Sequence, residues 1–416
     1  MSPTSRSALL LGALALSALV LPVGIVALAA LALAGATVVD ALSVRAEPTV
    51  TRSLPRVLSR AVPVTVEVRT AAANAGRVQV RQPTPPGLSL EPSGGGRELR
   101  AELVARRRGR LELPAPGVRL AGRLGLGAWY HRPGTGAEVH VYPDLVTARR
   151  LALAAREGRT TGSSRRVRGP IGLGTDFESV REWQPDDDVR HVNWRATQRT
   201  GRPMTNQYRL EQAREIVFLV DAGRLMAAPL GPGRTRLDAT LDALAAVALA
   251  ADELSDHCGA IAFDAEVRGQ LRPRRGGGAA IVLALFDLQP RPLDSDYLRA
   301  FRLVAGGKRA LVMVLTDLFD ESAAGALIEA VPILSRRHAL VVASASDPDL
   351  DGFLRTPPKT ATDVYAAAAA LDLIDARARA AALIARGGAQ VVEAPPERLA
   401  AACVHAYLAA KARLRL

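Results

Sequence analysis

The sequence predicts a chain of three parts: an N-terminal transmembrane helical hairpin, a β-rich sandwich-like domain and a doubly wound α/β domain. Three observations predict this order. Residues 1–40 hold a long apolar run, residues 61–142 alternate between apolar and polar side chains in short bursts, and residues 216–416 alternate apolar strands with helices. At 416 residues the chain is long enough for two or three domains.

The positive charge of the chain is concentrated in its first half. The sequence carries a formal net charge of +13, and residues 41–215 contain 30 arginines against 17 acidic residues, whereas residues 216–416 contain 23 basic and 23 acidic residues. This distribution indicates a negatively charged neighbour, either phospholipid headgroups or nucleic acid, with arginine as plain surface filler as the alternative. Cys258 and Cys403 have no CxxC partner, so the sequence predicts neither a disulfide framework nor a zinc site.

The N-terminal apolar run predicts a membrane anchor. Between Arg6 and Asp40 lie 33 residues without a charged side chain, and a spanning helix needs only about 20. Pro22 favours a break near the middle, which gives two helices at about 7–21 and 23–39, and a single long helix kinked at Pro22 is the other solution. A cleavable signal peptide would have a shorter apolar core, of about 7–15 residues.

Arginines on both sides of the apolar run predict its orientation. Arg6 precedes the run, and Arg45, Arg52, Arg56 and Arg60 follow it. Positive flanks stay on the cytoplasmic side of a membrane, and a hairpin returns both flanks there. We therefore expect an inner or plasma membrane protein whose soluble domains lie on the cytoplasmic side.

The β-rich domain is predicted over residues 41–156. Bursts such as "VPVTVEVRT" and "AEVHVYP" have the period of two that strands require, and proline and glycine turns separate them. Several short strands at this spacing are typical of a β-sandwich. Residues 157–170 are rich in glycine, serine and arginine without an apolar period, which predicts an exposed linker. A distinctive segment at 171–215 then leads into the α/β domain at 216–416.

Two apolar strands of the α/β domain end in an acidic residue. "EIVFLVD" (215–221) is a continuous apolar run that ends in Asp221, and "RALVMVLTDLFD" (309–320) contains a similar run followed by Asp317. Strands that alternate with helices predict a parallel sheet, and such sheets bind ligands at the carboxyl ends of their strands. Asp221 and Asp317 are therefore candidate site residues.

The stretch "GTDFESVREWQPDDDVRHVNWRATQRTG" (174–201) holds two of the three tryptophans of the chain. Its candidate interaction residues are Trp183, Asp186, Asp187, Asp188, Arg190, Trp194 and Arg195. Catalysis is weakly supported, because adjacent acids point in different directions and His191 has no nucleophile beside it. Nucleic-acid binding is also disfavoured, because the interleaved acids repel phosphate.

We interpret this stretch as a structural clamp. "QPDDD" has the proline and aspartates of a turn. Trp183 and Trp194, with Phe177 and Val192, would form an apolar floor, and the acids would face the arginines in exposed pairs. Such pairs contribute only about 0–1 kcal/mol each, so they fix geometry more than stability. The clamp would pack along the α/β domain, and its charged rim would be open to a partner protein.

The motif that runs from Gly174 to Met226 resembles the domain of unknown function 58 family. Within it, "EIVFLVDAGRLM", together with the later strand that ends "TDL", also resembles a von Willebrand factor A domain, which is of the Rossmann type. The resemblance implies two N-terminal membrane helices, a β-rich segment and an A-type domain, in the order seen here. It also implies an AAA+ ATPase of the MoxR type as partner, and no established reaction.

The same resemblance leaves a degenerate Mg²⁺ site open. A domains that bind Mg²⁺ use D-x-S-x-S, a later threonine and a later aspartate, which are hard oxygen ligands. Asp221 and Asp317 match the two aspartates, Gly223 and Leu225 stand at the serine positions, and Thr235 is a possible substitute for the threonine. The alternative is that Asp221 caps the following helix or pairs with the arginine three residues later.

The leading functional hypothesis is a membrane-anchored, non-enzymatic adaptor that works with the MoxR-type ATPase in the assembly or maturation of other proteins. We expect membrane lipids to contact the anchor, and we expect no cofactor and no nucleic-acid partner. Two alternatives stay open. One is a metal-dependent hydrolase that uses the acids at 186–188, and the other is a nucleic-acid binder that uses the basic half.

Overall fold

The computed structural model describes residues 1–158, 171–184, 192–209, 214–231, 233–318, 324–355 and 357–413. Four residues of the predicted interaction segment, Asp186, Asp187, Asp188 and Arg190, lie outside the described residues, as does most of the predicted linker. The protein mixes helices with strands, as predicted.

The chain forms two compact units. The first comprises Met1–Val146 with Phe286–Leu288, and the second comprises Thr147–Leu285 with Gln289–Leu416. The division falls within the first turn of the helix Leu145–Arg156, after Val146. Arg156 pairs with Glu253 of the second unit at 3.0 Å, which accounts for the placement of this helix.

The first unit contains two helices near the N-terminus and a set of short strands. The helices are α1 (Ser5–Ser17) and α2 (Val23–Leu42). The strands are β1 (Ser2–Pro3), β2 (Thr49–Ser53), β3 (Val57–Ser59), β4 (Val64–Ala71), β5 (Arg77–Arg81), β6 (Leu88–Glu91), β7 (Gly94–Gly95), β8 (Glu98–Ala105), β9 (Gly109–Leu113), β10 (Gly117–Ala121), β11 (Gly127–His131) and β12 (Ala137–Tyr142).

The apolar N-terminal run breaks into α1 and α2 over residues 18–22. α1 ends at Ser17, earlier than the predicted end near residue 21, and Pro22 directly precedes α2. Among the described residues, α2 is the helix with the length and apolar composition to cross a membrane. Only 11% of its most apolar stretch is buried within the protein, which distinguishes α2 from the core helix of a soluble domain. An apolar helix that could anchor the chain in a membrane is therefore present.

The last turn of α2 is fixed to the turn between β10 and β11. The buried carboxylate of Asp40 accepts hydrogen bonds from the backbone N–H groups of Leu124, Leu126 and Gly127, at 2.8–3.0 Å. Glycine is required at this contact, because a Cβ on Gly122 would lie 2.1 Å from the Asp40 carboxylate. One acidic residue thus joins the apolar helix to the β-rich part of the first unit.

The strands of the first unit form three sheets around one core. Their orders are β1-β11-β10-β5-β7, β3-β12-β9 and β2-β4-β8-β6. Alternate residues of the long strands point inward, as the period of two predicts. Val68 of β4, Leu103 of β8, Leu120 of β10 and Val139 of β12 are buried in a single hydrophobic cluster that draws on all three sheets.

The second unit contains the remaining helices and strands. Its helices are α3 (Leu145–Arg156), α4 (Trp194–Thr200), α5 (Arg236–Glu253), α6 (Gly277–Leu285), α7 (Tyr297–Ala305), α8 (Gly325–Ser335), α9 (Pro348–Arg355), α10 (Ala361–Arg386) and α11 (Pro396–Arg413), with a short 3-10 helix at Arg224–Ala227. Its strands are β13 (Ile171–Glu182), β14 (Met204–Arg209), β15 (Glu215–Asp221), β16 (His257–Phe263), β17 (Val267–Arg275), β18 (Leu311–Leu315), β19 (Ala339–Ala345) and β20 (Gln390–Ala394).

A six-stranded sheet forms the centre of the second unit. Its order is β17-β16-β15-β18-β19-β20, and all neighbouring strands are parallel except the edge strand β17, which is antiparallel to β16. β15 and β18 are buried along almost their whole length, as strands covered on both faces must be. From β15 the chain continues to β16 on one side, and β18 lies on the other, so the order reverses between β15 and β18.

Candidate functional site at the carboxyl edge of the α/β sheet

The candidate site lies where the strand order reverses. In open parallel sheets, the crevice outside the carboxyl ends of the strands at such a point is the usual place for a ligand. Asp221 is the last residue of β15, and Thr316 and Asp317 directly follow β18. Both aspartates are buried, at 2% and 4% exposure respectively. The sequence therefore located two acids correctly at neighbouring strand ends.

The carboxylate of Asp221 accepts four hydrogen bonds from the protein. Its Oδ1 accepts from the backbone N–H of Gly223 at 2.8 Å and from Ser295 Oγ at 2.5 Å. Its Oδ2 accepts from Tyr297 Oη at 2.8 Å and from Thr316 Oγ1 at 2.6 Å. These donors are neutral, and together they tie the loops after β15 and before α7 to the end of β18.

Tyr297 is a buried donor of this group. Its hydroxyl also lies 2.6 Å from Thr316 Oγ1, and its ring packs edge-on against Phe263. Burial, followed by the charge of Asp221, raises the pKa of the Tyr297 hydroxyl well above its ordinary value. The phenol therefore keeps its proton at neutral pH and acts as a hydrogen-bond donor rather than as a base.

Asp317 has cationic partners instead. Its Oδ1 lies 2.9 Å from Arg236 Nη1 and 3.1 Å from Arg377 Nη1, and it accepts a hydrogen bond from Ser344 Oγ at 3.2 Å. Both guanidinium groups are buried. Arg236 is the first residue of α5 and Arg377 lies within α10, so Asp317 joins two helices to the end of β18.

Two further acids complete the charge balance of the arginines. Arg377 Nε donates to Glu393 at 3.0 Å, and Arg236 Nη2 lies 3.4 Å from Asp347. Both guanidinium groups also donate to the backbone carbonyl of Ala345, at 2.8 and 3.1 Å. Burial lowers the pKa of Arg236, although Asp317 acts in the opposite direction. Three carboxylates around two guanidinium groups leave no excess positive charge for an anionic ligand.

Asp264, at the end of β16, is a third buried acid on this edge. It accepts from the backbone N–H of Glu266 at 2.9 Å and from Arg268 Nη1 at 2.8 Å. Burial alone would raise the pKa of this carboxyl, but the Glu266 N–H and the Arg268 guanidinium outweigh burial and lower it. Arg291 Nε also lies 3.8 Å from this carboxylate, so Asp264 combines a neutral backbone donor with two guanidinium groups.

This donor set does not fit a magnesium ion. Mg²⁺ requires carboxylate oxygens that are free to coordinate it in a near-octahedral arrangement. All four hydrogen bonds of Asp221 come from protein groups, and Asp317 already pairs with two arginines. Within the described ranges, the structure contains no group of three His, Cys, Asp or Glu residues placed to hold a metal.

Two sequence-based alternatives for this edge are corrected by the contacts. Thr235 is not a ligand at the site but the N-cap of α5, where it forms a reciprocal capping box with Asp238. Arg224 pairs with the exposed carboxylate of Asp294 rather than with Asp221. Asp221 accepts instead from the backbone of Gly223, which directly precedes the 3-10 helix.

The predicted interaction segment forms a hairpin with a short helix between its strands. β13 pairs with β14 in antiparallel register, from Glu182 opposite Met204 onward. The backbone N–H of Trp183 donates to Pro203 O at 2.9 Å. Trp183 is half-buried, but Trp194 on α4 is 71% exposed, so Trp194 does not belong to a buried apolar floor. Its position at the start of a solvent-facing helix explains the difference.

Residues 179–354 match the model of the family described as "Protein of unknown function DUF58". The match supports the DUF58 family. It begins within β13, contains α4 and both strand-end acids, and ends in α9, whereas Arg377 and Glu393, two partners at the site, follow the matched region. No match was found among curated proteins.

Sequence reasoning missed most of the partners of the two acids. Ser295 and Tyr297 lie more than 70 positions after Asp221, and no local pattern links them to it. Arg236 and Arg377 occupy helices in which arginine is an ordinary surface residue. The one available signal was Thr316, a polar residue that directly follows a fully apolar strand.

Proposed function

We propose that this chain is a membrane-anchored protein-interaction module that catalyses no reaction of its own and binds an AAA+ ATPase of the MoxR type. Its clients would be other proteins that are assembled or matured. The partner is the one implied by the family resemblance. The exposed Trp194 on α4, inside the DUF58 region, is the observation that carries the proposal.

Hydrogen bonds attach helix α4, which begins at Trp194, to strand β14. Asn193 caps α4 by accepting the N–H of Ala196 at 3.0 Å, and its own amide donates to Asn206 of β14 at 2.8 Å. Thr197 Oγ1 accepts the N–H of Met204 at 2.9 Å. A large aromatic side chain that is exposed on a helix is accessible to a partner protein.

The chemistry of Trp194 and its neighbour suits a protein partner. Tryptophan and arginine are enriched among the few residues that contribute most of the binding energy in protein interfaces. Arg195 follows Trp194 and is also exposed. The two together offer an apolar anchor beside a cation. The buried acids at the strand ends would then act indirectly, by shaping the loops rather than by touching the partner.

The architecture supports the remaining parts of the proposal. The order and direction of the six strands suit a von Willebrand factor A-like domain, whose strand ends commonly serve contact. The break before Pro22, with arginines on both flanks, suits a transmembrane hairpin that leaves both units on the cytoplasmic side of the inner or plasma membrane. The hydrogen bonds that occupy Asp221 favour a structural role over metal binding at this edge.

The test is a binding measurement between the full chain in detergent and the purified MoxR-type ATPase of the same cells. Truncating a tryptophan anchor costs about 2–4 kcal/mol, so we expect Trp194→Ala to weaken binding at least tenfold. Tyr365→Ala is the matched control, because Tyr365 is also an aromatic residue on a helix of the second unit and is 76% exposed. Equal binding by both variants, or no binding by the unchanged chain, would refute the proposal.

A further inference from the structure

One face of the five-stranded sheet in the first unit carries a row of arginines. Along β5, Val78 and Val80 point into the core, so Arg77 and Arg81 point to the opposite, exposed face. Arg119 of β10 lies on the same face, because it is paired with Gln79 across the strands. Its guanidinium donates to Gln79 Oε1 at 3.0 Å.

These arginines line a cleft without acidic residues. The cleft has a volume of about 1020 Å³ and lies wholly within the described part of the first unit. Its lining includes Arg77, Arg81, Arg119 and Arg132 with Tyr130, and neither aspartate nor glutamate. Four positive charges on a concave surface without a compensating carboxylate attract an anion.

The attachment of α2 fixes where this face lies relative to the apolar helix. Gly127, at the start of β11, contacts Asp40 in the last turn of α2, and His131, at the end of β11, lies 3.0 Å from the carbonyl oxygen of Val44. β11 therefore runs beside the chain as it leaves α2. Arg77 pairs with Ala121, which in turn pairs with Ala128, the residue after Gly127. Arg77 therefore lies at the end of the sheet that is nearest α2.

The turn between β10 and β11 has the composition of a membrane interface. It lies at the level of Asp40 and carries Arg123 and Leu124, of which Leu124 is 61% exposed. Arg45, just after α2, lies over the ring of Trp129 at 6.0 Å. Arginine beside an exposed leucine and an aromatic ring is the pattern found where lipid headgroups meet the acyl chains.

We propose that this face binds the phosphate headgroup of an anionic phospholipid from the bilayer that holds α2. The inference rests on the membrane anchoring in the proposed function. Arg77 and Arg119 would meet the headgroup nearest the helix, and Arg81, four residues along the strand, would lie about 13 Å farther out. The exposed Leu124 favours lipid over nucleic acid, because it would enter the interface beside the acyl chains.

The experiment uses the full chain in detergent micelles that contain phosphatidylglycerol or phosphatidylcholine with identical acyl chains, and native mass spectrometry counts the lipid retained. One variant carries Arg77→Gln, Arg81→Gln and Arg119→Gln. Its control carries Arg69→Gln, Arg100→Gln and Arg106→Gln, which remove the same charge from β4, from β8 and from the residue that follows β8. Arg69 and Arg100 lie near Glu67.

We expect the unchanged chain to retain phosphatidylglycerol in preference to phosphatidylcholine. An arginine close to an anionic surface contributes about fivefold in affinity. The preference of the first variant for phosphatidylglycerol over phosphatidylcholine should therefore fall at least tenfold. The control should change by less than twofold. Equal retention of the two lipids by the unchanged chain, or equal losses in both variants, would overturn the inference.

Two further measurements distinguish a headgroup site from a nucleic-acid surface and from a failure of the membrane anchor. If a short DNA duplex at physiological ionic strength displaces phosphatidylglycerol, and this depends on the same three arginines, the face is a nucleic-acid surface and the inference fails. Alkaline carbonate extraction tests the anchor itself. Release of the chain from membranes would refute the anchoring, whereas a chain that stays bound but shows no lipid preference would refute the headgroup site alone.

Discussion

Asp221 and Asp317 lie at the ends of neighbouring strands, but the protein compensates their charges in opposite ways. Four neutral donors surround Asp221, whereas two guanidinium groups meet Asp317. A buried carboxylate needs either full hydrogen bonding or a paired cation. The comparison teaches that one edge of one sheet serves two structural purposes. Asp221 holds loops to the sheet, and Asp317 holds the helices α5 and α10 to it.

The largest expected loss of stability follows from removing the carboxylate of Asp317, which pairs with two buried arginines. Asp317→Asn removes the carboxylate that Arg236 and Arg377 share, and breaking a buried ion pair by removing one partner costs about 3–5 kcal/mol. Thermal unfolding of the second unit, measured in the full chain, reports the loss. A triple variant, Asp317→Leu with Arg236→Met and Arg377→Met, should recover much of it. A cost below about 1 kcal/mol for Asp317→Asn would contradict the comparison.

Disrupting the hydrogen bonds between Asp221 and its neutral donors should reduce stability less. Asp221→Asn keeps the shape of the side chain but directs an amide N–H₂ group toward donors such as Tyr297 and Thr316. Unsatisfied buried polar groups cost about 1–3 kcal/mol. Chemical denaturation should place this variant between the unchanged protein and Asp317→Asn, with the exposed Asp294→Asn as the control. A larger loss than that of Asp317→Asn would reverse the comparison.

Removing a single donor should have a still smaller effect, and one that depends on pH. Tyr297→Phe deletes one of the four hydrogen bonds to Asp221, which should cost about 1 kcal/mol at neutral pH. Because the pKa of Tyr297 in the folded state is raised above the ordinary value of 10.0, its contribution is present below pH 10 and is lost as the pH rises further. The variant should therefore lose less stability between pH 9 and 11 than the unchanged protein.

Asp264 should show a pH dependence opposite to that of Tyr297. Its folded-state pKa is lowered from the ordinary value of 3.8. Its contribution is therefore present above that value and is lost as the pH falls through the lowered pKa. Acid unfolding curves of Asp264→Asn and the unchanged protein should converge at low pH and separate at neutral pH. Curves that separate only at low pH would contradict the assignment.

The sequence predicted those parts of the fold that local patterns determine. Continuous apolar runs that end in an acid located β15 and the end of β18, because buried parallel strands must be apolar throughout. Pro22 predicted a break in the apolar run, because proline cannot continue a helix without losing a hydrogen bond, and it directly precedes α2. The apolar α2 followed from length and composition alone.

The partners of the strand-end acids could not be predicted in the same way. Ser295 and Arg377 reach the carboxyl edge through tertiary packing, and their immediate neighbours in sequence carry no sign of it. Trp194 was assigned to an apolar floor because tryptophan is usually mostly buried, whereas the helix on which it lies faces solvent. Exposure of this kind depends on which face of α4 meets the hairpin, and a helix of seven residues has too short a pattern to show it.

A calorimetric titration of Mg²⁺ and Mn²⁺ into the purified full chain tests most directly whether the strand-end acids are structural. Because protein donors occupy Asp221 and arginines occupy Asp317, we predict no saturable binding in the micromolar range, and no difference between the unchanged protein and Asp221→Asn. Micromolar binding that Asp221→Asn abolishes would contradict the account. Micromolar binding that is abolished instead by substitutions at 186–188 would favour the hydrolase alternative.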